Sequence, residues 1–190
     1  MESENLMIMG IAVLVAVVVI AGAWWYAQRQ RRARLRERFG PEYERALQET
    51  GAPEKATAVL EERMRRVEGL HIHPLSPEQA DSFAREWKGV QAMFVDDPDA
   101  AVEASDRLVT QVMSARGYPI EDFDTRAADL SVDHPRVVDN YRTARALALR
   151  RSRREAGTEE LRQAVVNYRA LFEDLLQGDS RPHGRLRRAS

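Results

Sequence analysis

Hydrophobic positions are distributed along this chain in two different ways. From Leu6 to Ala27 they run almost without interruption, LMIMGIAVLVAVVVIAGAWWYA, 22 residues without a charge. As a helix rising ~1.5 Å per residue, such a run reaches ~33 Å, and a bilayer core is about 30 Å thick. The expected element is a transmembrane helix over 6–27. Past Gly40 the apolar positions recur every three or four residues, the period of a helix with one buried face. Pro41 opens a short acidic helix, PEYERALQET, which Gly51 closes. Pro53 opens another that reaches about Glu68, with Ala56, Leu60, Met64 and Val67 on one face.

Leu70 to Leu75, LHIHPL, reads as an extended connector. Ser76-Pro77-Glu78-Gln79 is a capping box, and the helix it starts carries the stripe Ala80, Phe83, Trp87, Val90 and Phe94. Asp97-Pro98 caps the next helix, whose inner face is Ala101, Ser105, Leu108, Val112 and Ala115, with Gly117 and Pro119 ending it. So short a connection predicts an antiparallel hairpin. A shorter helix is expected around 122–130. Asp133-His134-Pro135 then reads as the start of a long helix with Val137 or Val138, Tyr141, Ala144 and Ala148 inward, stopped by Gly157. Thr158, Glu159 and Glu160 open the last helix, lined by Leu161, Val165, Tyr168, Phe172 and Leu175.

No stretch sustains the alternation of a strand. The fold class this pattern predicts is all-α: an N-terminal transmembrane helix, then linking helices, then a compact helical bundle. The expected boundaries are a short N-terminal tail at 1–5, the membrane helix at 6–27 and a basic juxtamembrane collar at 28–39. Linking helices and connector follow at 40–75, the bundle at 76–177 and a basic disordered tail at 178–190.

Charge gives the first segment a direction. The chain is nearly neutral, at −1, but Arg29 to Arg38 holds six arginines against one glutamate, whereas 39–178 sums to −7. Trp24, Trp25 and Tyr26 stand where an interfacial aromatic belt would be, and Arg29, Arg31, Arg32 and Arg34 follow at once. The positive-inside bias then keeps this flank in the cytoplasm, with the N-terminus outside. Glu2 and Glu4 replace the basic region of a secretory signal, so an uncleaved anchor is favoured over cleavage at Ala21-Gly22-Ala23. Within the span, Ala12 and Ala16 have the small-xxx-small spacing that lets two helices pack closely, although lipid-facing filler explains them as well. The arginines also suit anionic headgroups. Nucleic acid is not expected, because no aromatic interleaving or recognition motif accompanies the basic block.

Candidate chemistry is sparse. Without cysteine, disulfides, thiolate nucleophiles and cysteine metal sites are excluded. His71 and His73 lack the further ligands of a metal site, and the acidic groups at 96–99 and 121–124 coincide with helix starts, where negative charge is favoured. No glycine-rich phosphate loop occurs, so no nucleotide cofactor is expected. Asp133 and His134 have no nucleophile in a recognisable setting. The aromatic positions fall where a core would be, with one polar cleft conceivable around Trp87, Asp133, His134 and Tyr141. No catalytic residue, metal ligand or cofactor is assigned.

Arginine outnumbers lysine 27 to 2, the mark of a GC-rich, bacterial genome. The stretches Leu35-Arg-Glu-Arg-Phe-Gly-Pro-Glu-Tyr43, Glu86-Trp87 to Gln91, Phe94-Val-Asp-Asp-Pro98, Arg116-Gly-Tyr-Pro119 and Leu130-Ser-Val-Asp-His-Pro135 on to Tyr141-Arg142 give the chain a family likeness. It resembles bacterial single-pass membrane-anchored proteins, mainly actinobacterial and other GC-rich ones, that have no assigned activity. The resemblance implies an anchor with a helical domain and carries over no site residue. The functional expectation is a membrane-tethered, non-enzymatic scaffold or adaptor on the cytoplasmic face. Its partners would be the lipid bilayer and another protein, with homo-oligomers left open. Two alternatives stand beside it. One is a small-molecule- or lipid-binding helical domain, or an unfamiliar enzyme, using a cleft near Trp87, His134 and Tyr141. The other is a secreted helical protein cleaved after Ala23.

Overall fold

A computed structural model describes residues 2–152 and 157–177, with side chains over 14–150 and 157–177. Among these residues there are eight helices and no strand: α1 (Glu2–Phe39), α2 (Pro41–Thr50), α3 (Pro53–Glu68), α4 (Pro77–Asp96), α5 (Pro98–Ala115), α6 (Phe123–Asp133), α7 (Val138–Ser152) and α8 (Thr158–Gln177). The protein is all-α. The expected tail at 178–190 and the helix end at 153–156 lie outside the described residues. The chain divides into two compact units, 1–60 and 61 onward, and the division falls inside α3.

In the first unit, α1 is a single helix that begins within the expected tail and runs through both the apolar segment and the arginine collar. At ~1.5 Å per residue its 38 residues extend ~57 Å. Among the described residues no helix is long and apolar enough to cross a membrane. Positions 6–13 of the expected span have side chains outside the description. From Leu14 to Ile20 the large apolar side chains of α1 are 54–68% exposed. The chain turns at Gly40, whose φ of +51° and ψ of −121° suit a residue without Cβ. Phe39, Tyr43, Ala46, Ala56 and Leu60 are buried, and Arg36–Glu44 (2.5 Å) and Arg32–Glu54 pair at the surface. Gly51 closes α2 as expected, in the left-handed conformation with its N–H donated to Leu47 O.

The second unit is a helical bundle in which α4 packs on α5, α5 on α8, α8 on α7, and α6 on α7. Caps fix the helix starts. Ser76 and Gln79 form both reciprocal bonds of a capping box, Asp97 Oδ1 accepts from Ala100 N at 2.9 Å, and Asp122 Oδ1 accepts from Asp124 N and Thr125 N. Only Asp97 separates α4 from α5, so the two helices fold back side by side. The apolar stripes meet as their spacing predicts. Trp87 of α4 stacks on Phe172 of α8 with centroids 4.7 Å apart, and Val90, Leu108, Val112, Leu161, Val165 and Leu175 are buried around it. Each such side chain contributes ~1.5–3 kcal/mol by leaving water. Arg66, late in α3, holds Glu121 at 2.9 Å and Asp129 at 3.0 Å. Burial raises the Asp129 carboxyl above its ordinary pKa against the pull of that guanidinium.

One boundary differs from expectation. Asp133 ends α6 and His134 is its C-cap, donating its N–H to Leu130 O at 2.7 Å, while α7 begins only at Val138. The Asp133 carboxylate accepts from the Tyr118 hydroxyl at 3.2 Å.

Candidate functional site

The end of α5 builds the first of two buried polar clusters. Gly117, at φ +94°, donates to Ser114 O, and Tyr118 donates to Met113 O, the paired bonds of a Schellman motif. A Cβ on Gly117 would overlap the His71 carbonyl oxygen, so only glycine lets the connector pass this close. His73 N–H donates to Arg116 O and pins the connector there. Arg116, just before the glycine, is 2% exposed, and its Nη1 donates to Leu175 O in the last turn of α8 at 3.2 Å. The final carbonyls of a helix lack intrahelical donors and carry its negative end, which is why a guanidinium is stable here.

His134 completes this cluster. Its Nδ1 donates to Asp174 Oδ2 at 2.5 Å, and its Nε2 lies 3.4 Å from Arg116 Nη1 as the acceptor. An Asp–His pair of this kind orients a base in many hydrolytic sites. Here the second ring nitrogen faces a guanidinium and not a hydroxyl nucleophile, so the arrangement ties α8 to the α6–α7 corner. Among the described residues no group of three His, Asp or Glu side chains is placed to hold a metal ion.

The four residues of the anticipated cleft are distributed over different surroundings. Asp133 and His134 belong to the cluster just described, with Tyr118 between them. Trp87 is in the core against Phe172, and its indole N–H has no hydrogen-bond partner. Tyr141 is fully buried between Phe123 (4.8 Å) and Tyr168 (6.1 Å). On α1, Trp24, Trp25 and Tyr26 are 60–66% exposed. Arg29 lies 5.4 Å over the Trp25 ring, Arg31 and Arg34 are exposed, and Arg32 pairs with Glu54. With Gln28, the Trp24, Trp25, Arg29, Arg32 and Glu54 side chains line a cleft of about 470 Å³.

A second buried polar cluster, not anticipated from the sequence, lies where α5, α7 and α8 meet. Tyr168 of α8 is fully buried, yet it lines a surface cleft of about 430 Å³ with Asp106 of α5 and Arg145 of α7. The Tyr168 hydroxyl faces the Asp106 carboxylate and the Tyr141 hydroxyl faces Thr110, each short of close hydrogen-bond geometry. Arg145 Nη1 stands 3.8 Å from Asp106 Oδ2, a loose ion pair, and its guanidinium lies 5.7 Å over Phe123. Behind them Arg126 donates to the Thr110 hydroxyl, which donates to Asp106 O, both at 2.8 Å. Burial pushes the Tyr141 hydroxyl up to about 12. It raises Tyr168 further, with the Asp106 charge adding to the effect. Both phenols are neutral donors at any ordinary pH.

The one sequence signal that pointed here is the spacing of Asp99, Glu103 and Asp106, three carboxylates at i, i+4 and i+7 on one face of α5. No family model, curated protein or solved structure matches this chain.

Proposed function

We propose that the protein is a membrane-tethered, non-enzymatic interaction module of a bacterial cell, anchored by 6–27 and carrying its helical bundle on the cytoplasmic side. The carrying observation is the surface of α1. Its apolar side chains from Leu14 to Ile20 are exposed without a protein partner, and they are followed along the helix by exposed Trp24, Trp25 and Tyr26 and then by the arginines. Apolar, aromatic and basic zones in that order match hydrocarbon, interface and cytoplasmic headgroups. A continuous helix also keeps every backbone group along the run satisfied, which a bilayer demands. The described residues support a binding role over catalysis, since the Asp174–His134 pair among them has its second nitrogen turned to Arg116.

Fusing reporters to the C-terminus tests the topology. A fluorescent protein should be bright there, a periplasmic phosphatase inactive, and the chain should stay with membranes after alkaline carbonate extraction. Release by carbonate, or an active phosphatase, overturns the reading. Mass spectrometry should find an N-terminus at Met1 or Glu2. One starting after Ala23 would establish the secreted alternative instead. Affinity capture from gently solubilised membranes should return a specific protein partner.

A further inference from the structure

Five residues of α1 line the cleft of about 470 Å³ beside the start of α3: Trp24, Trp25, Gln28, Arg29 and Arg32. They recur in two columns at four-residue steps and so share one side of the helix. Glu54, in the first turn of α3, closes the opposite wall. The volume is within the ~300–1,000 Å³ range of small-ligand sites. From Trp24 to Arg32 this side of α1 is ~12 Å long, at ~1.5 Å per residue. A bilayer of ~40–45 Å around a core of ~30 Å has an interfacial layer of roughly 5–8 Å on each side, so a face of that length crosses it. Its charges are unevenly engaged. Arg32 pairs with Glu54, whereas the Arg29 guanidinium lies 5.4 Å over the Trp25 ring and meets no carboxylate among the described residues. A guanidinium resting on a ring keeps its edge N–H donors for a second partner.

We propose that this cleft holds the phosphodiester headgroup of one anionic membrane lipid, with Arg29 on the phosphate oxygens and the two indoles against the glycerol and first acyl carbons. Two arginines against one glutamate leave the lining at +1, which a monoanionic headgroup balances and a zwitterionic one does not. Arginine meets phosphate through paired, charge-assisted hydrogen bonds, and exposed tryptophans suit the boundary between chains and headgroups. The apolar side chains exposed at 14–20 of the same helix continue the site toward the acyl chains. The inference rests on the tethering proposed above and deepens it. One side of the arginine collar recognises a lipid, while Arg34, exposed and roughly 200° around the helix, serves orientation alone.

The full chain in phosphatidylcholine vesicles reports on the site through its own fluorescence, since Trp24 and Trp25 line the cleft and Trp87 is buried in the bundle. Salt at about 0.5 M, where the Debye length is about 4 Å, suppresses diffuse attraction to the collar. Phosphatidylglycerol with brominated chains should then quench as a lipid preferred about fivefold over brominated phosphatidylcholine, the effect of one charge at the surface. Brominated phosphatidylethanolamine should show no such preference. Arg29→Gln should reduce the preference to about twofold or less, whereas Arg34→Gln, which removes the same charge from the other side of α1, should keep most of it. Glu54→Gln releases Arg32 and should raise the preference about two- to threefold. Equal quenching by the three lipids, or equal losses in Arg29→Gln and Arg34→Gln, overturns the proposal. So does displacement by millimolar glycerophosphoglycerol, which would assign the cleft to a water-soluble phosphodiester. Carbonate extraction of the same vesicles separates the two readings. A chain that resists extraction and prefers no lipid sinks this inference alone, and a released chain sinks the tethering with it.

Discussion

The two buried polar clusters of the bundle share two helices, six residues apart on α8 and ten on α5, and differ in how their hydrogen bonds close. Around His134 most groups answer one another: carboxylate to imidazole, imidazole to guanidinium, guanidinium to the end of a helix, with Arg116 Nε left over. Around Tyr168 a carboxylate oxygen and two phenols are left over. A closed network specifies one packing and adds little net stability, whereas removing one member exposes the others to the full cost of burial. The first cluster ties distant segments through direct bonds, whereas the second leaves more of its polar atoms in loose contact.

Removing Arg116 should have the largest effect. Arg116→Met leaves Leu175 O and His134 Nε2 without their donor, and should cost ~3 kcal/mol and lower the thermal midpoint by roughly 10 °C. A loss under ~1 kcal/mol in urea unfolding would dissolve the contrast between the clusters.

Alkaline titration addresses the second cluster. Tyr141 and Tyr168 hold their protons more tightly folded than unfolded, so their contribution is complete below pH 10; that of Tyr141 is lost as pH rises through about 12, and that of Tyr168 persists further. For Tyr141, the rise to about 12 corresponds to about 2–3 kcal/mol. Tyrosinate absorbance should show these two phenols ionising together with unfolding. Full ionisation near pH 10 would mean that the hydroxyls are not enclosed.

The smallest effect is the sharpest discriminator. Tyr118→Phe removes a made bond, to Asp133, and should cost ~1 kcal/mol; Tyr168→Phe removes only a loose contact and should cost under ~0.5 kcal/mol or stabilise the protein. Equal losses in the two variants would erase the distinction.

What the sequence disclosed follows the range over which each feature is decided. Ser76, Asp97 and Asp122 cap helices through bonds to residues two or three ahead, and all three caps were readable as written. The stripe of α8 was legible for a similar reason, since one helix face carries it. His134 was misread as part of a helix start because Asp-His-Pro is a sound local signal, and Tyr118 and Asp174 outcompete it from 15 and 40 positions away. Nothing near Arg116 announces burial, because the carbonyl that receives it is 59 residues on. The Asp106–Tyr168 pair is separated by a similar distance, and neither helix alone shows that the two meet.

Asp97 serves two helices at once. Its N–H ends α4 on Met93 O, its side chain starts α5 on Ala100 N, and no other residue intervenes. The corner consequently works as an index pin, locking the angular phase of α5 to that of α4. One residue inserted there would turn α5 by ~100°, carrying both its inward stripe and its acidic wall away from α7 and α8. The three positions Asp96, Asp97 and Pro98 thus keep count for the whole bundle.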